Sequence, residues 1–273
     1  MRNKSTSALG RAYIRRMAPP NKADYGLDAP AVVRNLAIAG SLGLLLALAM
    51  YLGVIPSAIN LGGVHVGLFG MAFGPGVACS FTGVAMIWSS RIGKARRRDW
   101  LLQKLSWTGA EKVVDVGCGR GLMLIGAAKH LTTGRATGVD IWRAEDLSAN
   151  SREATLSNAR IEGVADRVDV ETADMRKLPF ADASIDLVVS CAAIHNLEVE
   201  QDRATAIGEI ARVLKPGGRA LIDDIRHFNQ YRSEFVARDC VLVARLDNRI
   251  ASAFWAVISF GSLRPGTLLV QKT

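Results

Sequence analysis

An uncharged segment of unusual length most constrains what this chain can fold into. From residue 35 to residue 90 there is no Asp, Glu, Lys or Arg, a run of 56 residues that is too long for the core of a soluble domain. Residues 36–55 would form a helix of about 30 Å, which matches the hydrocarbon core of a bilayer. A second apolar stretch covers residues 64–88, interrupted by Gly74-Pro75-Gly76, and the glycine-rich residues 56–63 suit a tight turn. The segment predicts an all-α transmembrane hairpin; a hydrophobic hairpin packed on the protein is the alternative.

The positive charge of the chain is concentrated around this hairpin. The formal net charge is +9, yet residues 1–100 hold twelve basic and three acidic residues, whereas residues 101–273 hold 22 of each. This distribution favours a membrane over nucleic acid as the partner of the basic residues. Because cytoplasmic flanks are enriched in Lys and Arg, we expect an integral membrane protein with both termini and the C-terminal domain in the cytoplasm. The flanking cations are Arg15, Arg16, Lys22, Arg34, Arg91, Lys94, Arg96, Arg97 and Arg98.

These patterns divide the chain into four segments. Residues 1–34 form a basic arm, residues 35–90 the hairpin, residues 91–109 a basic amphipathic linker helix, and residues 110–273 a globular domain. The cations of the linker are available to lipid phosphates or simply solvated. The four cysteines show no paired spacing, which disfavours disulfides and a zinc site, and we expect no metal ligands.

A strand, a glycine-rich loop and a helix follow one another at residues 113–129. Residues 113–116 are mostly valine and suit a buried parallel strand, and residues 122–129 suit a helix whose first N–H groups point at the loop. The glycines between them let a ligand approach the main chain closely. They lie at 117, 119 and 121, which departs from the G-x-G-x-x-G spacing of dinucleotide-binding loops. The turn predicts a nucleotide-binding loop; a tight turn without a ligand is the alternative.

Strands and helices alternate after this loop, which is typical of a parallel sheet. Strands are predicted at 135–140, 167–172, 184–190 and 219–225, and helices at 147–161 and 200–214, the second of which stops at Lys215-Pro216-Gly217-Gly218. In the tail we predict a helix at 229–238 and strands at 240–246, 254–260 and 267–271. Carboxylates follow two of the strands, Asp140 after the second and Asp174 after the third.

With these motifs in order, residues 110–225 resemble class I S-adenosylmethionine-dependent methyltransferases, and within them the ubiquinone/menaquinone-biosynthesis methyltransferase-like group. The first motif of the family falls on residues 115–121, its two strand-end acids on Asp140 and Asp174, and its pre-strand loop on residues 214–218. The resemblance leaves residues 1–100 uncovered and fits the tail loosely. It implies an α/β fold with a Rossmann-like, seven-stranded, mostly parallel doubly wound sheet.

The resemblance also implies S-adenosyl-L-methionine as the cofactor. The glycines would hold its amino-acid end against the backbone. Asp140 would accept the ribose hydroxyls, and Asp174 would accept the adenine amine while the Met175 N–H meets a ring nitrogen; for both acids the alternative is capping of a turn or helix. Asp115 is expected to order the loop rather than touch the ligand. The expected cofactor-binding residues are Asp115, Gly117, Cys118, Gly119, Gly121, Asp140, Ile141, Asp174, Met175 and Ser190.

His195 is the best single candidate for acceptor contact or general base, because residues 190–197 leave a strand at its carboxyl end. The alternative is a histidine that packs on the cofactor or caps a helix. Methyl transfer depends mainly on proximity and alignment, and a base is needed only where the acceptor must lose a proton. Asp223, Asp224 and His227 either face the acceptor or cap the strand edge, and Cys191 suits a small buried position.

The sequence therefore predicts an enzyme that transfers a methyl group to a small or lipophilic acceptor at the cytoplasmic face of a membrane. The residues Ser190-Cys191-Ala192-Ala193 stand where base-modifying relatives carry an Asn/Asp-Pro-Pro-aromatic motif, so we expect no nucleic-acid partner. Two alternatives remain open at this point: a non-catalytic S-adenosylmethionine-binding membrane scaffold or sensor, and a nicotinamide-dependent oxidoreductase.

Overall fold

The computed structural model describes residues 22–143, 145–246, 252–253 and 264–273. The strand predicted at 254–260 and most of the basic arm lie outside the described residues.

Two long helices form the hairpin. Helix α1 spans Pro30–Tyr51 and helix α2 spans Phe69–Trp88, and both are long and apolar enough to cross a membrane. Small residues let the two helices approach closely: a Cβ atom on Gly43 would lie 2.8 Å from the Cα atom of Gly76. Pro75 lies inside α2 without ending it.

The link between α1 and α2 corrects the prediction of an all-α hairpin. Strands β1 (Ala58–Leu61) and β2 (Val64–Gly67) pair antiparallel, so the second helix begins at Phe69 rather than at residue 64. The two residues between the strands are glycines with φ of +56° and +89°, which a tight two-residue hairpin turn requires. Beyond α2, the π-helical turn Ser89–Gly93 continues directly into α3 (Lys94–Leu102).

The globular part is built on a seven-stranded sheet in the order β5-β4-β3-β6-β7-β9-β8. Only β9 runs antiparallel to its neighbours, which confirms the mostly parallel sheet. The strands are β3 (Lys112–Val116), β4 (Arg135–Asp140), β5 (Val168–Thr172), β6 (Ile185–Cys191), β7 (Leu214–Asp224), β8 (Cys240–Arg245) and β9 (Gly266–Lys272). The connecting helices are α4 (Leu122–Ala128), α5 (Arg152–Ile161), α6 (Glu200–Val213) and α7 (Phe228–Val236).

Helices cover both faces of the sheet, as a doubly wound fold requires. One buried cluster joins the sheet to α3, α4 and α5 through residues such as Leu102, Leu124 and Ala159. The other joins it to α6 and α7 through Ile207 and Phe235, among others. The linker helix α3 thus belongs to the core of the domain.

Three further predicted boundaries are wrong. The linker helix predicted at 91–109 ends at Leu102. The helix predicted at 147–161 begins at Arg152, because the side chain of Ser151 accepts the N–H of Ala154 and caps it there. The Pro-Gly-Gly residues predicted as a loop before the fifth strand lie inside β7, where the register with β6 is irregular. The predicted strands at 240–246 and 267–271 are confirmed to within one residue.

Candidate active site

The glycine loop between β3 and α4 is held by main-chain bonds. The N–H groups of Gly117 and Cys118 donate to the carbonyl of Val139 at 2.8 and 3.1 Å, which ties the loop to the end of β4. All three glycines have positive φ, and a Cβ atom on Gly117 would lie 2.3 Å from the Cβ atom of Ala193. The backbone at Gly117 therefore packs so closely against Ala193 that only a residue without a Cβ atom fits there.

Asp115 orders the start of α4. It is buried, and its Oδ2 accepts the N–H of Leu124 at 2.8 Å, while its Oδ1 has no partner among the described residues. Burial raises the pKa of Asp115 to about 8; the Leu124 N–H opposes this shift and the charge of Asp140 adds to it. A buried carboxyl with one unpartnered oxygen can form a hydrogen bond with a ligand.

Replacing Asp115 with asparagine is expected to change how stability depends on pH. The folded-state pKa of about 8 lies above the unfolded value of 3.8, so the contribution of Asp115 to stability is complete below about pH 4 and is lost as pH rises through 8. Relative to Asp115→Asn, the wild type should lose about 2 kcal/mol or more of unfolding free energy between pH 4 and 8, as measured by urea denaturation. Asp169→Asn, at an exposed carboxylate, is the control. Parallel curves for wild type and Asp115→Asn would contradict the assignment.

Asp140 lies directly against the glycine loop. Its Oδ2 accepts the Gly119 N–H at 2.8 Å, and its Oδ1 accepts the Trp142 N–H at 2.6 Å and the Asn150 side chain at 3.3 Å. Trp142 adopts a left-handed backbone with φ of +62°. Ile141, between Asp140 and Trp142, is 45% exposed, so an apolar side chain is accessible to a ligand beside the Asp140 carboxylate.

Asp174 makes the contacts of a turn cap. Its Oδ1 accepts the backbone N–H of Arg176 at 2.8 Å and its Oδ2 accepts the Arg176 guanidinium at 2.6 Å, and these bonds lower the pKa of Asp174. Asp174 therefore caps a turn, which was the alternative to an adenine contact, and the adenine contact itself stays a prediction. Met175 turns inward, and its Cε would lie 3.5 Å from a Cβ atom on Gly117.

The side chains of two residues expected to contact the cofactor have structural contacts, and their cofactor contacts stay predictions. The Ser190 hydroxyl is buried and donates to the carbonyl of Val116 at 2.7 Å, which uses its only proton to join β6 to β3. Cys118 is buried against Gly138, and burial raises the pKa of its thiol well above the usual value. Cys191 is half-buried rather than fully buried as predicted, and desolvation and the nearby Asp223 raise the pKa of its thiol well above the usual value.

His195 lies in a short 3-10 turn (Ile194–Asn196) after β6 and contacts the end of β7. Its Nδ1 is 2.5 Å from Oδ1 of Asp224, and its backbone N–H donates to Oδ2 of the same carboxylate at 3.1 Å. The Tyr231 hydroxyl also donates to Asp224, at 3.1 Å. His227 precedes α7 with φ of +67°, and burial, aided by nearby Arg203, lowers its pKa.

Residues 24–29, the N-terminal strap, run over the cofactor side of the domain. The strap exchanges hydrogen bonds with Ser148, at 2.8 and 3.2 Å, and Asp24 forms an ion pair with Arg120 of the glycine loop. Leu147 fills the space between the strap and the loop, because it would lie within 2.9 Å of a Cβ atom on either Gly26 or Gly119. No local sequence pattern indicates this contact, which joins residues more than 100 positions apart.

Helix α3 attaches the hairpin to the carboxyl end of the sheet, so three of the linker cations contact protein, whereas the prediction had them available to lipid phosphates or solvated. Arg97 makes two bonds to the buried Asp223, at 2.6 and 2.8 Å, and a third to Thr267. Lys94 donates to the strap, and Arg98 is buried and donates to Asp99. Lys94, Arg97 and Arg98 stand at positions i, i+3 and i+4, and this spacing in the sequence indicates that they share one face of the helix.

These features together fit a nucleoside ligand whose amino-acid end lies against the main chain. The glycine loop offers bare backbone, Asp115 has a free buried oxygen, and Ile141 stands exposed beside the Asp140 carboxylate. No group of three or more His, Cys, Asp or Glu suited to a metal ion occurs among the described residues.

Comparison with known proteins agrees with this geometry. Residues 114–222 match the family model described as a methyltransferase domain. The chain is 37% identical over 130 residues to methyltransferase GfsG of Streptomyces halstedii, covering 48% of this chain and 43% of that protein. It is 31% identical over 132 residues to the ubiquinone/menaquinone biosynthesis C-methyltransferase UbiE of Roseobacter denitrificans, covering 48% of each. The chain spans about half the length of the curated relatives it matches.

The solved structure of a geranyl diphosphate methyltransferase in complex with S-adenosylmethionine has the same fold. It superposes with a TM-score of 0.52 at 18% identity, over 66% of this chain and 85% of that one. The sheet order, the glycine loop and the family match define residues 114–222 as part of a class I S-adenosylmethionine-dependent methyltransferase domain. Its cofactor is S-adenosyl-L-methionine.

Proposed function

We propose that this chain transfers a methyl group from S-adenosyl-L-methionine to a small or lipophilic acceptor at the cytoplasmic face of a membrane. The observation that carries the proposal is the ion pair between Arg97 and Asp223, which we call the joint. It attaches the helix that leaves the apolar hairpin to the edge of the sheet where ligands bind in open α/β folds.

The surface of the hairpin supports a membrane location. Only 17% of the most apolar window of each helix is buried, whereas a core helix of a soluble protein would be mostly buried. Large apolar side chains such as Leu42 and Phe81 are more than half exposed. An exposed apolar surface of this extent favours lipid as the surrounding medium.

The linkage of hairpin and domain supports a membrane-resident acceptor. The strap precedes α1, and α3 follows α2, so both helices of the hairpin connect to segments that border the site. Lys94 joins these segments by donating to the carbonyls of Tyr25 and Gly26 and to Asp28. An acceptor dissolved in the bilayer would meet the enzyme at a raised local concentration without entering water.

The names of similar proteins support the same class of acceptor. The relative from Roseobacter denitrificans is named for ubiquinone and menaquinone biosynthesis, and the structural neighbour for geranyl diphosphate. We take isoprenoid quinone precursors and related lipids as the first candidates.

The residues of the chain contribute position more than chemistry. When bound, the cofactor supplies a methyl group already activated by a positively charged sulfur. The glycine loop and Asp140, joined by the Gly119 N–H, would hold the cofactor at the carboxyl ends of β3 and β4, and the turn with His195 follows β6 at the same edge of the sheet. Proximity and alignment then account for most of the rate.

Methyl transfer to extracted lipids tests the proposal. The full chain, reconstituted in liposomes made from the total membrane lipids of the producing cells, is incubated with methyl-labelled S-adenosylmethionine. We expect label in a lipid whose mass rises by one CH₂, and inhibition by S-adenosylhomocysteine. The control is Gly163→Ala, a substitution in an open loop far from these contacts.

Other outcomes separate the alternatives. Binding of S-adenosylhomocysteine with no label in any lipid or aqueous fraction would indicate a scaffold or sensor. Tight binding of NADH in place of S-adenosylhomocysteine would indicate an oxidoreductase. Release of the full chain from membranes washed at alkaline pH would contradict the integral membrane location.

A further inference from the structure

We infer that Asp224 and Tyr231 hold His195 as a proton acceptor, and that the methyl acceptor therefore carries an ionisable hydroxyl group. His195 is the candidate catalytic residue, and Asp224 and Tyr231 are positioning residues. This inference rests on the proposed function, because it names the substrate class of the same site.

The Asp224 carboxylate is the centre of a buried hydrogen-bond cluster. Its side chain is 1% exposed. Its Oδ1 accepts the backbone N–H of Ile225 at 2.8 Å and lies 2.5 Å from Nδ1 of His195. Its Oδ2 accepts the backbone N–H of His195 and the hydroxyl of Tyr231, both at 3.1 Å.

This cluster determines the tautomer of His195. Burial and the neighbouring Asp224 raise the pKa of Tyr231, so its hydroxyl stays protonated and donates to the carboxylate. Every other contact of this carboxylate is a donated N–H or O–H, so the carboxylate acts as an acceptor and Nδ1 of His195 carries the proton in the contact with Oδ1. In the neutral ring the lone pair is therefore on Nε2.

The turn that carries His195 borders the candidate site, and Nε2 is not engaged within the described part of the chain. No described residue forms a hydrogen bond with Nε2, although the His195 side chain is only 11% exposed. Ala193, two residues earlier, packs on Gly117, so the turn that carries His195 borders the glycine loop. Asp146, from the loop after β4, lies within electrostatic range of His195.

The groups around the ring come from several elements. Asp224 lies at the end of β7, Tyr231 on α7 and Asp146 in the loop after β4. His227, ahead of α7, and Arg203, on α6, lie close to each other, and His227 also lies within range of His195. Arg203 is engaged by Gln230 and by the carbonyls of residues 197 and 198.

A base held in position is useful only for acceptors that must lose a proton during methyl transfer. A neutral amine or a thioether attacks a methyl group with its own lone pair, whereas a phenol or enol becomes a good nucleophile only as it loses its proton. In the proposed step the hydroxyl proton moves to Nε2, and oxygen, or the ring carbon activated by it, forms the bond to the methyl carbon. The carbon–sulfur bond breaks with its electron pair on sulfur, which leaves S-adenosylhomocysteine and an imidazolium.

The tautomer can be measured without any acceptor. In nitrogen-labelled full-length protein in lipid nanodiscs, NMR should report neutral His195 with the proton on Nδ1. In Asp224→Asn the side-chain amide can donate a hydrogen to Nδ1, so the ring proton should move to Nε2. The same change of tautomer follows when the aspartate beside the catalytic histidine of a serine protease is replaced by asparagine. A wild-type ring protonated on Nε2 would overturn the inference, whatever the activity.

Kinetics with the lipid extract give the second readout. For Asp224→Asn we expect kcat to fall at least about 100-fold, with KM for S-adenosylmethionine and affinity for S-adenosylhomocysteine changed less than about threefold. Tyr231→Phe keeps the carboxylate and should lower kcat about 3–10-fold. Asp239→Asn, at an exposed carboxylate, is the control. Equal losses of kcat and cofactor affinity in Asp224→Asn would overturn the positioning role.

The labelled product tests the substrate class. Its structure should place the new methyl group on a phenolic or enolic oxygen, or on the adjacent ring carbon. A methyl group on an amine, a sulfur or an unactivated alkene would overturn the inference while leaving methyl transfer itself intact. Absence of any transfer, with the Nδ1 proton in place, would instead count against the proposed function.

Discussion

Alanine at position 117 is expected to destroy the cofactor site. Gly117 has φ of +72°, and a Cβ atom there would lie 2.3 Å from the Cβ atom of Ala193. Because contacts this short do not occur, Ala193 and the turn that carries His195 must move. We expect a loss of about 2–4 kcal/mol in unfolding free energy and at least about a 100-fold fall in methyl transfer, since a displacement of about 1 Å is enough to misalign reacting groups.

Gly163→Ala separates the clash from backbone strain. Gly163 has φ of +71°, nearly the same as Gly117, but nothing lies within 4 Å of its Cβ position. Alanine there should lose only about 1–2 kcal/mol, the usual penalty of a left-handed backbone, and should leave activity unchanged. Isothermal titration with S-adenosylhomocysteine and urea denaturation of both variants make the comparison. Similar losses of cofactor affinity in the two variants would contradict the packing role of Gly117.

The sheet was largely predictable because its signals are local. Valine-rich strands, glycine turns and carboxylates at strand ends act over a few residues, and β3, β4 and α4 begin and end within one residue of their predicted positions. The start of α5 was missed because an N-cap at Ser151 and an apolar Leu147 compete for the same boundary, and the strap contact with Leu147 comes from far away in sequence.

Side-chain partners across long separations were not predictable. Asp224 is 29 residues from His195, and the sequence left both a structural and a functional role open for each. Arg97 and Asp223 are separated by 126 residues. A basic stretch after an apolar helix has the same composition whether its cations face lipid or a buried carboxylate. Only the packing of α3 against the sheet distinguishes the two.

Alanine in place of Arg97 is expected to uncouple the hairpin from the active edge of the sheet. Asp223 would keep the Thr267 hydroxyl, at 2.6 Å, but would lose its cation while its side chain remains 8% exposed. Leaving a buried charge without its partner costs about 3–5 kcal/mol, and we expect about 2–3 here because the Arg97 side chain is 40% exposed. Arg96→Ala, at the exposed neighbour, should change stability by less than about 0.5 kcal/mol.

The double variant Arg97→Ala/Asp223→Asn tests whether the loss comes from the unpaired charge. Neutralising Asp223 removes the buried charge, so the double variant should regain at least half of the stability lost by Arg97→Ala. It should still transfer methyl groups to liposome-borne acceptor more slowly than wild type, because α3 keeps its core packing but has lost its ion pair with the edge of the sheet, while cofactor binding is intact. If Arg97→Ala and Arg96→Ala behave alike in stability and in transfer, the joint does not couple the hairpin to the active site, and the support it lends to a bilayer-resident acceptor is withdrawn.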